Sequence, residues 1–284
     1  MSLAGQTFSI LGADGAIGRA LCKYLTARGA AARPFGRADS DYMAQPLGHC
    51  IYAVGLTADY AERPFDTVEA HVSLFARLLR DADFASMTYL SSTRLYDGGT
   101  DAAETATLFL SPHNPRHLYD LSKALGESLC LTGGRANVRA ARLSSVYDDD
   151  LGGENFLHDL IKRAVAAPRL NLASHPSVAR DYVHVDDVCA AVSAIAISGR
   201  RQIYNVASGR NVNNADLFAR LGELTGCKIA TTIDADAPFA VAPTIDVAAL
   251  ADDFAIRPRP LEAALQALVA KAGNNLRTGG AGRA

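Results

Sequence analysis

The sequence predicts an α/β fold, a doubly wound parallel sheet followed by a smaller C-terminal lobe. Three observations predict it. Short β-prone runs alternate with amphipathic helical stretches along the first two thirds of the chain. The first such run, Thr7–Leu11, passes directly into a glycine-rich turn and then a helical rhythm. With 284 residues, 49% of them hydrophobic, the chain can bury a substantial core as one large domain or a domain and a half.

The turn reads Gly12-Ala13-Asp14-Gly15-Ala16-Ile17-Gly18, and residues 19–28 continue as a helix. Strand, glycine turn and helix together let backbone N–H groups and a helix N-terminus meet a pyrophosphate. Three glycines can also simply make a tight turn, so position matters: this is the first turn of an alternating pattern. Gly12, Gly15, Ala16, Ile17 and Gly18 are therefore candidate dinucleotide-binding residues in a Rossmann-type sheet.

Residues 30–35 form the second strand, whose end should carry an Asp or Glu for the adenine ribose. Gly36 stands there, followed by Arg37. A missing carboxylate removes the repulsion against a 2′-phosphate, and a guanidinium can bind one, so NADP is favoured over NAD. Arg37 is equally compatible with stacking on adenine or a surface position, and Arg33 is a weaker second candidate. Residues 49–55 make a third strand ending in Ala53, Val54 and Gly55, small enough to let a coenzyme lie across them or to pack a tight strand-to-loop contact.

A helix over 66–79 and a strand over 87–90 lead into Ser91-Ser92-Thr93-Arg94-Leu95-Tyr96. Hydroxyls at the carboxyl end of such a strand face the ligand crevice. Next comes the chemistry-bearing stretch, in which Tyr119 and Lys123 stand one helical turn apart and leave the same face. Free tyrosine titrates near ~10, and each unit of depression requires about 1.4 kcal/mol of preference for the phenolate. A nearby ammonium supplies that preference and makes a proton donor and acceptor that works near neutral pH.

Together these motifs resemble the extended short-chain dehydrogenase/reductases of the NAD-dependent epimerase/dehydratase family. The resemblance runs from about residue 7 to about 225. It rests on Gly12/Gly15/Gly18, Ser92-x-x-x-Tyr96, Tyr119-x-x-x-Lys123, Arg180-Asp181-Tyr182-Val183-His184-Val185-Asp186-Asp187-Val188 and Tyr204-Asn205-Val206-Ala207-Ser208-Gly209. It implies that Ser92 is the catalytic hydroxyl and Tyr119 the acid/base. It makes Lys123 the residue that lowers the phenol's pKa and binds the nicotinamide ribose. Arg180 resembles the residue that contacts a nucleotide-sugar diphosphate, its alternative being an ion pair with Asp186 or Asp187. Those two aspartates are expected to cap the following helix. Thr93 and Asn155 complete the substrate side, Asn155 at the start of a helix over 155–167.

The departures from the family pattern fall on the substrate side. Its dehydratases carry Asp-Glu where this chain has Thr93-Arg94, which argues against dehydration. His71 replaces a usual Asn, and a histidine on that face is read as a packed, hydrogen-bonded residue. The expected activity is therefore NAD(P)-dependent hydride transfer at a secondary alcohol or ketone of a nucleotide-linked sugar, as an epimerase or a 4-ketoreductase. The alternatives are a reductase of a small non-nucleotide carbonyl compound and a non-catalytic NADP-sensing protein. Relatives of the last kind would lack the Ser/Tyr/Lys set.

The expected organisation is a coenzyme domain over 4–165, to which 180–206 returns. A substrate-binding lobe would take 166–179 and 207–272, with a loose tail over 273–284. Amphipathic helices are expected over Asn214–Thr225 and 260–271. Apolar faces around 68–79 and 118–131 can pair across a homodimer or pack on their own sheet. The net charge of −2 gives no basic surplus for nucleic acid, and no apolar stretch approaches a membrane span. The N-terminus lacks a signal pattern. Five scattered cysteines without metal-ligand spacing imply reduced thiols, a cytoplasmic setting and no metal.

Overall fold

The structure, a computed structural model, describes residues 3–280 other than positions 40, 154, 235, 236, 238 and 240. β1 (Thr7–Leu11) leads through the glycine turn into α1 (Ala16–Thr26), and β2 (Ala31–Phe35) and β3 (His49–Tyr52) follow. A helical arm combines α2 (Pro64–Val68), a π-helical turn at Glu69–Ser73 and α3 (Leu74–Asp81). β4 (Ser86–Ser92) ends in a 3₁₀ turn at Thr93–Tyr96, before α4 (His117–Thr132) and β5 (Val138–Leu143). Then come β6 (Ser145–Tyr147), α5 (Phe156–Ala166), β7 (Arg169–Leu172) and β8 (Ala179–His184). The chain continues with α6 (Val185–Ser198), β9 (Ile203–Val206), β10 (Asn211–Asn213) and α7 (Asn214–Thr225). It closes with β11 (Lys228–Thr231), α8 (Ala248–Phe254) and α9 (Glu262–Gly280).

Among the described residues six parallel strands form the main sheet in the order β2-β1-β3-β4-β5-β9. The winding reverses between β1 and β3, and their carboxyl ends open the crevice where such sheets take ligands. Alternation of side chains along each strand divides the core into two layers. Ile51 joins Phe8, Ile10, Leu21 and Leu25 under α1 and α6. Cys50 and Tyr52 join Phe75, Leu78 and Tyr89 under α3 and α4. Each fully buried leucine here contributes about 2 kcal/mol by leaving water. α6 is apolar almost all round, with Val188, Cys189 and Ala191–Ala196 buried, because it lies inside the first of these layers.

A second core unites Tyr147, Leu157, Leu160, Ile161, Leu217, Leu221, Leu265 and Leu268. α5 therefore packs in the lobe, and the expected boundary after residue 165 falls too late. β8 also departs from expectation. It pairs with β6 and β10 in a separate three-stranded sheet, so 180–184 leaves the main sheet and only α6 and β9 return to it. From Val185 the chain returns as the helix α6, packed in the core of the main sheet. The tail expected from residue 273 continues α9 to Gly280, and 281–284 lie outside the described residues. No helix among the described residues is long and apolar enough to cross a membrane.

Candidate active site

The glycine turn is built by close approach. Gly12 has φ +88°, and a Cβ there would stand 2.7 Å from the Ala53 carbonyl. A Cβ on Gly18 would stand 2.3 Å from the Gly12 oxygen. Both contacts exclude any side chain, so the turn tucks against the end of β3 and α1 starts directly behind it. No side chain caps α1 at Gly15, and its first turn carries no acidic residue. Its leading N–H groups are thus left to an anion.

A cleft of about 1290 Å³ runs from this turn across the carboxyl ends of the strands. Ala16 and Ile17 line it from α1, and Ala53, Val54 and Gly55 from the end of β3. Ser92, Tyr119 and Lys123 line the same space, with Asn155 on the lobe side. Gly12, Gly15 and Gly18 form the turn itself rather than the wall. Arg37 is exposed beyond β2, while Thr93 and Arg180 lie outside the lining.

Tyr119 and Lys123 are 6% and 4% exposed, because α4 packs unusually close to β4. Gly126 allows that approach: a Cβ there would fall 2.4 Å from the Tyr89 ring. The Lys123 ammonium donates to the Leu90 carbonyl at 2.8 Å and lies 6.0 Å from the centre of the Tyr119 ring. Burial pushes it down to about 7, against the opposing pull of Glu127. Burial pushes the Tyr119 phenol up, while a hydrogen bond with Ser92 and the charge of Arg94 draw it back down.

Arg94 reaches this position from the 3₁₀ turn. Its Cζ lies 4.6 Å from the Tyr119 ring centre, nearer than the Lys123 ammonium. Its Nε pairs with the carboxylate of Asp120 at 3.3 Å. In the sequence Arg94 marks only the absence of an acid, and nothing local signals a return to residue 119.

His71 is a second residue that sequence reasoning left outside the site. Its Nε2 accepts the Leu56 N–H at 3.1 Å, so Nδ1 carries the proton and donates to Ser122 Oγ at 2.7 Å. The Ser122 hydroxyl in turn donates to the Tyr119 carbonyl at 2.8 Å. Burial, with the Lys123 charge, drives His71 down to about 3 and holds it neutral. It packs edge-on against the Tyr119 ring, centroids 5.3 Å apart, as a buried spacer and not a proton carrier. Farther along α4, Glu127 makes a buried ion pair with Arg142 at 2.6 Å, which fastens the helix to β5.

The substrate-side expectations meet a different arrangement. Asn155 caps α5, its Oδ1 accepting the His158 N–H at 2.9 Å, so its amide oxygen serves the helix while the residue borders the cleft. Arg180 lies over Phe156, 4.6 Å from Cζ to ring centre, and donates to Asn214 Oδ1 at 3.5 Å. The ion pair weighed for it is absent: Asp187 pairs with Arg259 and Asp186 stands near His184. His184, not either aspartate, caps α6 by accepting the Asp186 N–H at 3.1 Å. Tyr96 is buried, donating to Asn205 Oδ1 at 2.8 Å, and belongs to the framework.

Fold and site together define a dinucleotide-binding α/β enzyme with a hydroxyl, phenol and amine gathered at the strand ends. Residues 8–207 match the model of the NAD dependent epimerase/dehydratase family. The chain belongs to that family. It is 27% identical over 146 residues to a dTDP-glucose 4,6-dehydratase of Streptomyces griseus, covering 50% of this chain and 44% of that protein. The chain thus spans under half the length of the first curated relatives it matches. Over 93% of its length it is 24% identical to a dTDP-4-dehydro-6-deoxy-D-allose reductase of a Streptomyces species, covering 95% of that protein. Among solved structures, MoeE5 in complex with UDP-glucose and NAD superposes with a TM-score of 0.77 at 20% identity, covering 95% and 99% of the two chains. RMD from Pseudomonas aeruginosa complexed with NADPH gives 0.75 at 22% identity, covering 95% and 100%. These likenesses carry the fold, as the strand order and glycine turn had implied.

Proposed function

We propose that this protein moves a hydride reversibly at a secondary alcohol of a nucleotide-linked sugar, with NAD or NADP as coenzyme. The observation that carries the reading is the convergence of Ser92, Tyr119 and Lys123 on the cleft that also runs over the glycine turn. The cradle fits a dinucleotide, since Gly12 and Gly18 exclude side chains from the turn and α1 leaves its leading N–H groups uncapped. When bound, the nicotinamide supplies the hydride acceptor or donor.

The residues of the chain handle the proton. Tyr119 takes the proton of the alcohol oxygen as the neighbouring C–H bond loses its hydride, and returns it in the reverse direction. Ser92 hydrogen-bonds the same oxygen as it becomes a carbonyl. Lys123, with burial holding it near 7, is suited to share protons with that network and to bind the nicotinamide ribose. Ala16, Ile17, Ala53, Val54 and Gly55 border the dinucleotide.

Epimerisation or ketoreduction is favoured over dehydration because Thr93-Arg94 offers a guanidinium where dehydration needs an acid. Arg94, Arg116 and Arg180 gather around the Asp97 carboxyl and are the cations offered to a substrate phosphate. Thr93, Asn155 and Arg180 are the substrate-side candidates. Exposed Phe65, Val68, Leu125 and Leu131 on α2 and α4 favour a homodimer through that face. The five free thiols suit a reducing compartment such as the cytoplasm.

The test pairs Tyr119→Phe with the parent protein, using UDP- and dTDP-hexoses and following nicotinamide absorbance and sugar configuration by NMR. The variant should bind coenzyme and lose turnover by about a thousandfold. Full activity in the variant, or a parent that binds no dinucleotide, would refute the reading. Tightly held coenzyme with an inverted sugar marks an epimerase, and stoichiometric coenzyme consumption a ketoreductase.

A further inference from the structure

We propose that Asp14, in the glycine turn, replaces the carboxylate missing from the end of β2 and makes the site select NAD over NADP. The inference rests on the coenzyme reading above and deepens it. In doubly wound sheets the choice turns on what meets the adenine ribose at the end of the second strand. A carboxylate accepts from the 2′-hydroxyl and repels a 2′-phosphate.

Gly36 leaves that position without a side chain, which in sequence reads as permission for NADP. In space the position is filled. A Cβ on Gly36 would lie 2.3 Å from Asp14 Oδ2, and 2.8 Å from both Oδ1 and Cγ. The carboxylate that the strand end lacks therefore arrives from the neighbouring turn, and glycine at 36 is what makes room for it.

The charge is held in place. Asp14 Oδ2 accepts the Arg37 N–H at 3.0 Å, and the N–H groups of Gly12 and Ala13 both donate to the Phe35 carbonyl, at 2.9 and 3.1 Å. These bonds lock the end of β2 to the turn. A second carboxylate adds to the first, since Asp39 Oδ2 accepts the Gly36 N–H at 2.6 Å.

The cations offer less. Arg37 is exposed, and its guanidinium is among the charges that act on the Asp59 carboxyl, in the loop after β3. Arg33 turns away to donate to the Pro46 carbonyl at 3.1 Å. Arg19, also exposed, spends its guanidinium on the Asp14 backbone carbonyl, so the two carboxylates held by backbone N–H groups dominate the end of β2. A phosphate of roughly two negative charges meets net repulsion, while a ribose hydroxyl finds an acceptor. The expectation of NADP drawn from Gly36 and Arg37 is reversed on these grounds.

The experiment titrates NADH and NADPH, by nucleotide fluorescence and calorimetry, into the full chain, Asp14→Asn, Asp14→Ser and Asp39→Asn. Asparagine keeps an oxygen for the Arg37 N–H and removes the charge, and a thermal melt checks that each variant is folded. The parent should bind NADH at least about tenfold more tightly than NADPH, and both Asp14 variants should raise NADPH affinity about tenfold. Equal or tighter NADPH binding by the parent overturns the inference. So does an unchanged ratio in the two Asp14 variants, or a larger shift in Asp39→Asn than in either of them. A parent that binds neither nucleotide brings down the coenzyme reading as well, which separates the two failures.

Discussion

The Arg94 guanidinium lies against the ring of Tyr119, its Cζ 4.6 Å from the ring centre, while the Lys123 ammonium stands 6.0 Å from the same point. Arg94 is anchored from below by the buried carboxylate of Asp120. The cation nearest the phenol ring at position 119 is therefore supplied by the 3₁₀ turn after β4, and Lys123 is held instead by Leu90.

Replacing Arg94 by Gln should consequently move the ascending limb of the pH–rate profile. Burial already raises the phenol, and removing the guanidinium takes away one of the two influences that lower it. The rise of activity with pH should shift alkaline, with activity near neutrality falling about tenfold. Arg94→Lys should recover part of the loss. A pH–rate profile identical to that of the parent would show that Arg94 has no electrostatic influence on Tyr119.

His71 predicts an acid-sensitive fold. Its folded pKa of about 3 lies below the ordinary 6.5, so between those values the unfolded chain binds a proton that the native chain does not. Stability is full above about 6.5 and falls as the pH drops toward 3, by up to about 1.4 kcal/mol per unit. His71→Gln should flatten this part of the curve in urea denaturation at stepped pH. Parallel curves for the two proteins would mean that His71 is not buried neutral.

Gly126 should tolerate nothing larger. Alanine places a carbon 2.4 Å from the Tyr89 ring, and both groups are internal, so helix and strand must separate. The expected cost is about 2 kcal/mol of stability, together with a loss of turnover as Lys123 is drawn off the Leu90 carbonyl. Chemical denaturation and steady-state rates read the two effects separately. An alanine variant with parental stability would contradict the close packing of α4 on β4.

What could be read from the sequence was local. The run from Thr7 to Leu11, the glycine turn and α1 follow one another without a gap, and their punctuation is chemical: β-branched and aromatic residues, glycines, then an amphipathic rhythm. Tyr119 and Lys123 share a face because four residues make about one helical turn. The relationships that escaped link distant segments. Arg94 reaches Tyr119 across a loop, His71 supports the same helix through Ser122, and Asp14 fills the space above Gly36. β8 mixes Arg180, Asp181 and His184 with Tyr182 and Val183, a pattern that assigns it to neither sheet, and its pairing with β6 and β10 is what separates it from the main one. For the same reason the α6 cap went to His184, whose ring meets the Asp186 N–H although a neighbouring aspartate looks the better acceptor by residue type.

The hydrogen bond from Lys123 to Leu90 has a mechanical implication. Leu90 sits two residues before Ser92 on β4, so a single contact ties the helix bearing the phenol and amine to the strand bearing the hydroxyl. The trio then travels as one block. Any movement that admits and releases a ligand then falls to the outer lobe, which is held by a core of its own.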